Sequence, residues 1–224
     1  MLEGFHRHPN GGGLVEDTAY VEETAFIGEH CIVSGYAYVI ENARLTGACR
    51  VYDHASIGDN AHIAGRASVC GNAAVGEDAI VSGCALVCGE ALVFGNGHVT
   101  DNASVHDSGQ VFGNATLRGN AEVRQSACVG ENGLIAGHAI VTDSAMVTGH
   151  SVVMDFAKVL EDGLVTDHAV VCGHARVSGT LCDYAIACGD SVVCKDAKVG
   201  ERAVLETSTW TAEFTGTYEY KVIE

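Results

Sequence analysis

The chain has 224 residues, a formal net charge of −17, 28 Gly, a single Pro (Pro9) and only 6% aromatic residues. So acidic a chain is ill suited to general binding of DNA, RNA or anionic membrane, because a phosphate backbone needs Lys and Arg to displace its counterions. With so few large rings, a core must be filled by many small and branched side chains.

Residues 1–13 have no apolar segment that could act as a leader or span a bilayer. They read as an irregular N-terminal cap, Phe5-His6-Arg7-His8-Pro9-Asn10-Gly11-Gly12-Gly13. Ten Cys without a secretory leader imply free thiols in a reducing cytoplasm.

A strict six-residue period begins at Val15. Every sixth residue from Val15 to Val177 is Val, Ile or Leu, at all 28 positions. Two residues before each lies a second column, from Ala19 to Ala175, of 27 positions: twenty Ala, four Gly, two Cys and one Ser. Small-x-aliphatic is alternation, so both residues point inward from one short strand. A helix would need a period near 3.6, which a strict six does not give. Gly, Asp or Glu follows the aliphatic residue by two at nearly every corner, Gln125 being an exception, then often Asn, His, Ser or Asp, residue types that tolerate positive φ at a corner. The pattern predicts an all-β fold, a single left-handed parallel β-helix of triangular coils with three hexads per coil. The phase slips once: Leu181 follows Val177 by four residues, and Ala187, Val193, Val199 and Leu205 complete the column. That makes 33 hexads, or about 11 coils, over residues 14–205.

After Leu205 the pattern changes. Thr209–Phe214 and Thr217–Ile223 alternate with period two around Thr215-Gly216, which predicts a C-terminal β-hairpin within residues 206–224. Trp210, Phe214, Tyr218 and Tyr220 then share one face. They form either a lid on the last coil or a surface for self-association as a dimer or trimer.

Stacking at 18 residues groups the chemistry-bearing side chains. One corner reads Glu23, Glu41, Asp59, Glu77, Gly95, Gly113, Glu131, Gly149, Asp167, Asp183, Glu201, eight acids in eleven positions. A carboxylate ladder repels itself, so the run is either a solvated edge or a binding surface for a cation or a basic protein. His150 and His168 form a stacked pair able to share a metal, or are simply residues suited to a corner. Cys70, Cys88 and His106 stack facing outward, with zinc as one reading. Cys31 and Cys49 stack in the small inner column as substitutes for Ala, and Cys172 stacks on Cys188 once the slip is counted.

The hexad resembles that of the bacterial hexapeptide-repeat proteins, which include acyltransferases and γ-class carbonic anhydrases, over about residues 14–205. Gly71-Asn72-Ala73, Gly113-Asn114-Ala115 and Gly119-Asn120-Ala121 are similar in texture to YdcK-like proteins and to the GNA-repeat proteins that many bacteriophages encode. The acyltransferases extrude a loop that completes a site on a neighbouring subunit, and no insertion interrupts the hexads here. The anhydrases hold zinc with two His five positions apart, a spacing no His pair here has. The expectation is a non-enzymatic, cytoplasmic rod of a bacterium or phage-infected cell, without a cofactor. It would bind a protein with a basic surface, such as a host defence protein. A trimeric acyltransferase with its site between subunits is the alternative.

Overall fold

The computed structural model describes residues 3–207 and 209–210, and the backbone of 214–217. It is an all-β parallel solenoid with three sheets of 13, 11 and 12 strands, in which strands follow one another at every third position. Face 1 carries the Val15 column, face 2 the Val21 column and face 3 the Ile27 column. The described residues include no helix, hence none long and apolar enough to cross a membrane.

The columns set the register. Val69 pairs with Val87 on face 1, Val75 with Val93 on face 2 and Ile63 with Val81 on face 3. The aliphatic residue and the small residue two before it are both buried along almost the whole length. Small residues on the flat leave room for branched ones beside the corner, and the interior packs without large rings. Each strand proper is short, mostly two residues; the continuity of the ladders along the axis makes the rod.

The slip is absorbed at the corner between faces 1 and 2. Val165 still pairs with Leu181, 16 residues on, and the ladder continues from Leu181 to Val199. Gly179 sits at this shortened corner, where an added Cβ would run into the backbone carbonyls of Cys194 and Ala197. Across the gap that the missing residues leave, Lys195 Nζ reaches Asp162 Oδ2 at 2.7 Å, joining corner residues that flank the shortened turn.

At the N-terminus, Phe5–Arg7 folds back antiparallel on Leu14–Glu16 and pairs the free edge of face 1. At the other end the structure departs from the expected hairpin. Thr209–Trp210 pairs parallel with Val192–Val193, and Phe214–Thr217 pairs parallel with Val199–Arg202. The two segments belong to different faces and continue the solenoid into a further partial coil. The turn expected at Thr215-Gly216 lies inside one strand. Trp210 takes the column place above Val193 and packs, half-buried, on the core. Period-two alternation is common to a hairpin and to another coil, which is why the pattern misled. The side chain of Phe214, and Tyr218 and Tyr220 altogether, lie outside the described residues.

Candidate functional site

The acidic corner between faces 2 and 3 forms as the repeat predicts, and its local chemistry explains it. Glu41, Asp59, Glu77, Glu131, Asp167, Asp183 and Glu201 all hold the left-handed conformation, with φ between 52° and 60°. In that conformation the amide N–H points along the axis toward the preceding coil and finds no backbone acceptor there. The carboxylate one coil earlier supplies one. Asp59 N–H donates to Glu41 Oε2 at 2.7 Å, Glu77 N–H to Asp59 Oδ2 at 2.7 Å, and Gly149 N–H to Glu131 Oε2 at 2.9 Å. Asp183 N–H donates to Asp167 Oδ2 at 3.1 Å and Glu201 N–H to Asp183 Oδ2 at 2.8 Å. The other corners follow the same rule, as with Gly71 N–H on Asp53 Oδ2 at 3.1 Å and Gly119 N–H on Asp101 Oδ2 at 2.9 Å.

Carboxylates on this edge therefore alternate with amides, and the self-repulsion expected of a bare ladder is offset by charge-assisted hydrogen bonds. Each such carboxylate thus has a local role in its own coil, whatever the edge binds. Glu23 does not join the ladder: its φ is not positive, and Glu22, one residue earlier, accepts from the Glu41 amide at 2.7 Å.

Beside the acids runs a second ladder. Asn42 donates to Asn60 at 3.3 Å, Asn60 to Asp78 at 3.1 Å, Asn96 to Asn114 at 3.0 Å and Asn114 to Asn132 at 3.1 Å. Toward the C-terminus amides give way to rings. His150 stacks on His168 with centroids 5.1 Å apart and planes 6° from parallel, and His168 stacks on Tyr184 at 4.8 Å. Imidazole lone pairs lie in the ring plane, so those of His150 and His168 run side by side; sharing an ion would require a ring to turn.

The cysteine columns also form. Cys49 Sγ donates to Cys31 Sγ at 3.2 Å in the aliphatic interior, and this contact, with burial, pushes the Cys49 thiol up. Burial, then neighbouring Cys188, raises the Cys172 thiol to about 11. His106 is drawn away from the Cys70–Cys88 column to Glu122 Oε1, at 2.6 Å. Among the described residues, Asp167, Cys182 and Asp183 bring three liganding atoms within 4.8 Å of one another. Burial chiefly, then Asp183, holds the Cys182 thiol above its ordinary range, and both carboxylates already accept backbone amides. Cys182 owes this place to the slip, so a fixed 18-residue count would not have found it.

Sequence reasoning passed over the outward column of face 3. Its first half is mixed: Phe26, Arg44, His62, Ile80, His98, Thr116. Its second half is Leu134, Val152, Val170, Ile186 and Val204, all half-buried, with Ala136, Met154, Cys172 and Cys188 beside them. Five coils at ~4.8 Å spacing make this apolar face about 20 Å long. Acids border it, Glu131, Asp167, Asp183 and Glu201 on one rim and Asp155 and Asp190 on the other. The signal was available, since the same 18-residue count, corrected for the slip, collects these side chains. No family model matches the chain, and no curated protein matches it.

Proposed function

We propose that the chain is a non-enzymatic binding rod whose partner is a protein with an apolar stripe flanked by Lys and Arg. The observation that carries this reading is the contiguous apolar half of face 3 between acidic rims. Soluble proteins rarely leave such a stretch uncovered without a use for it, and the rims supply charge of the sign that steers a basic partner. The long flat faces suit a surface contact better than the enclosed pocket of an enzyme. The hexad pattern keeps a left-handed hexapeptide-repeat protein of the phage GNA type as the preferred kinship.

A defined probe tests the reading. A synthetic amphipathic peptide with a Leu face and Lys flanks, titrated calorimetrically into the full chain, should bind in the micromolar range. Binding should weaken as salt rises and be lost in Val170→Lys. Unchanged binding by Val170→Lys would sink the assignment of the face. Light scattering in the same buffer guards the alternative: a mass well above 23.2 kDa that Val170→Lys halves would assign the face to self-association instead.

A further inference from the structure

A second surface, on the neighbouring corner, carries a different chemistry. A groove of about 450 Å³ runs between the corner joining faces 3 and 1 and the outward column of face 1. Its corner wall is a ring ladder: His138 stacks on Phe156 at 5.0 Å, and Phe156 on His174 at 5.1 Å. The facing wall includes Glu122, Lys158 and Arg176. A further hollow of about 550 Å³ shares His174 and Arg176 and continues the groove toward Asp190.

Two features make this groove unusual in so acidic a molecule. Lys158 and Arg176 are direct register partners on adjacent parallel strands. Like charges at that spacing destabilise a sheet, yet neither residue makes an ion pair among the described residues, whose ion pairs are those of His6, His106, Arg124 and Lys195. The carboxylate of the groove is not free to neutralise them: Glu122 Oε1 is held by His106 at 2.6 Å and by Arg124 at 3.3 Å. Asp190 lies at the far end without an ion pair to Arg176. Two adjacent cations are thus left uncompensated in a concave, ring-walled site.

We propose that this groove binds a small organic dianion, a phosphate monoester or a dicarboxylate borne on a flat apolar body. Two fixed positive charges match a charge of −2. The Arg176 guanidinium offers a planar fork of donors and the Lys158 ammonium a point charge. The imidazoles of His138 and His174 offer further N–H donors, and the exposed Phe156 ring offers apolar contact to the body. A volume of this size accommodates a small ligand. The groove shares the corner of faces 3 and 1 with the rim of the apolar face, but its two cations lie on face 1, so Lys158 and Arg176 can be changed without altering the apolar column of face 3 through which we propose the rod docks.

The test is a calorimetric titration of the intact chain with phenyl phosphate, phthalate and benzoate. Phenyl phosphate and phthalate should saturate with a 1:1 end point, and their relative affinity identifies the preferred anionic group. Benzoate, a monoanion, should bind at least about tenfold more weakly, and raised salt should weaken all three. Lys158→Ala with Arg176→Ala should reduce phenyl phosphate affinity by about tenfold or more, while Arg50→Ala, in the same outward column but four coils before Glu122, should leave it unchanged. Circular dichroism of the double variant establishes that the solenoid is intact. Benzoate binding as well as the dianions, no saturation in the millimolar range, or a double variant that binds like the parent would each overturn the proposal.

Discussion

Replacing Asp59 by Ala, Gly and Asn distinguishes a corner carboxylate that stabilises the coil from one that only burdens it with charge. Asp59 holds φ 53°, accepts the Glu77 amide at 2.7 Å and donates its own amide to Glu41. Three effects act on Asp59→Ala. The lost hydrogen bond to a charged acceptor costs ~1.5–3 kcal/mol at most, less at an exposed site. A left-handed Ala costs ~1–2 kcal/mol that Asp partly escapes. Against these, removing the charge relieves repulsion from Glu41 and Glu77, ~0.8 kcal/mol each at 5 Å in water and less in 0.1 M salt. The hydrogen bond and the backbone win, and Asp59→Ala should destabilise by ~2 kcal/mol.

Asp59→Gly, which loses the acceptor but adopts the conformation freely, should cost clearly less than Ala. Asp59→Asn, which keeps both an acceptor oxygen and the conformational tolerance, should cost least. Urea unfolding followed by circular dichroism reads the order. Hydrogen exchange should show the Glu77 amide losing protection in the Ala and Gly variants, with distant coils unaffected. If Asp59→Ala proved as stable as the parent or more so, repulsion would dominate the edge and the capping argument would be wrong.

Further expectations concern other parts of the rod. Gly71 has φ 69°, and an added Cβ would lie 2.8 Å from the Gly89 amide nitrogen. Gly71→Ala should therefore lower stability by more than the ~1–2 kcal/mol of the backbone conformation alone, and a urea midpoint equal to the parent's would refute it. Burial chiefly, then the Arg44 guanidinium, lowers the pKa of His62 below its ordinary 6.5, and its Nε2 lies 2.8 Å from Thr46 Oγ1. The unfolded chain binds this proton more readily, so the contribution is full above pH 6.5 and fades as pH falls below it. Between pH 8 and pH 5 the parent should lose more stability, relative to each protein's own value at pH 8, than His62→Gln; equal losses would exclude His62 as a source. Among thiols, exposed Cys84 should alkylate first and buried Cys31 and Cys49 only on unfolding. Cys172, raised to about 11, should react slowly at pH 8 and accelerate as pH approaches that value, which mass spectrometry of the labelled peptides would show.

The architecture was largely legible because a single column carries it. Valines six apart fix three faces, and the four-residue step from Val177 to Leu181 appears in space as the Val165–Leu181 pairing. The acidic corner was legible as a list of residues but not as a structure. Spacing shows that Glu41 and Asp59 stack; it does not show that the amide between them lacks another acceptor. The apolar half of face 3 lies within the same count, but Leu134, Val152 and Val170 carry no charge or liganding atom, and a single outward aliphatic residue is ordinary on a protein surface, so only the run of them is informative. The groove at Lys158 and Arg176 is made by two neighbouring columns, the rings of the corner and the cations of face 1, and neither column alone marks it. At the C-terminus, Trp210 occupies a valine's place, and only the pairing partner on the preceding coil separates a continuing rod from a reversal.

The shortened corner beside Gly179 shows where this molecule is indifferent to its own chain length. Neighbouring strands keep their alignment across a turn two residues short, so alignment is enforced sideways, by the fit of one coil upon the next, and not by arithmetic along the backbone. Corners are thus the natural points for insertion or excision: a guest loop grafted at one should leave the ladders undisturbed. Losing a single residue inside a strand is another matter, because it would swing valines to the outside and break the rod in two.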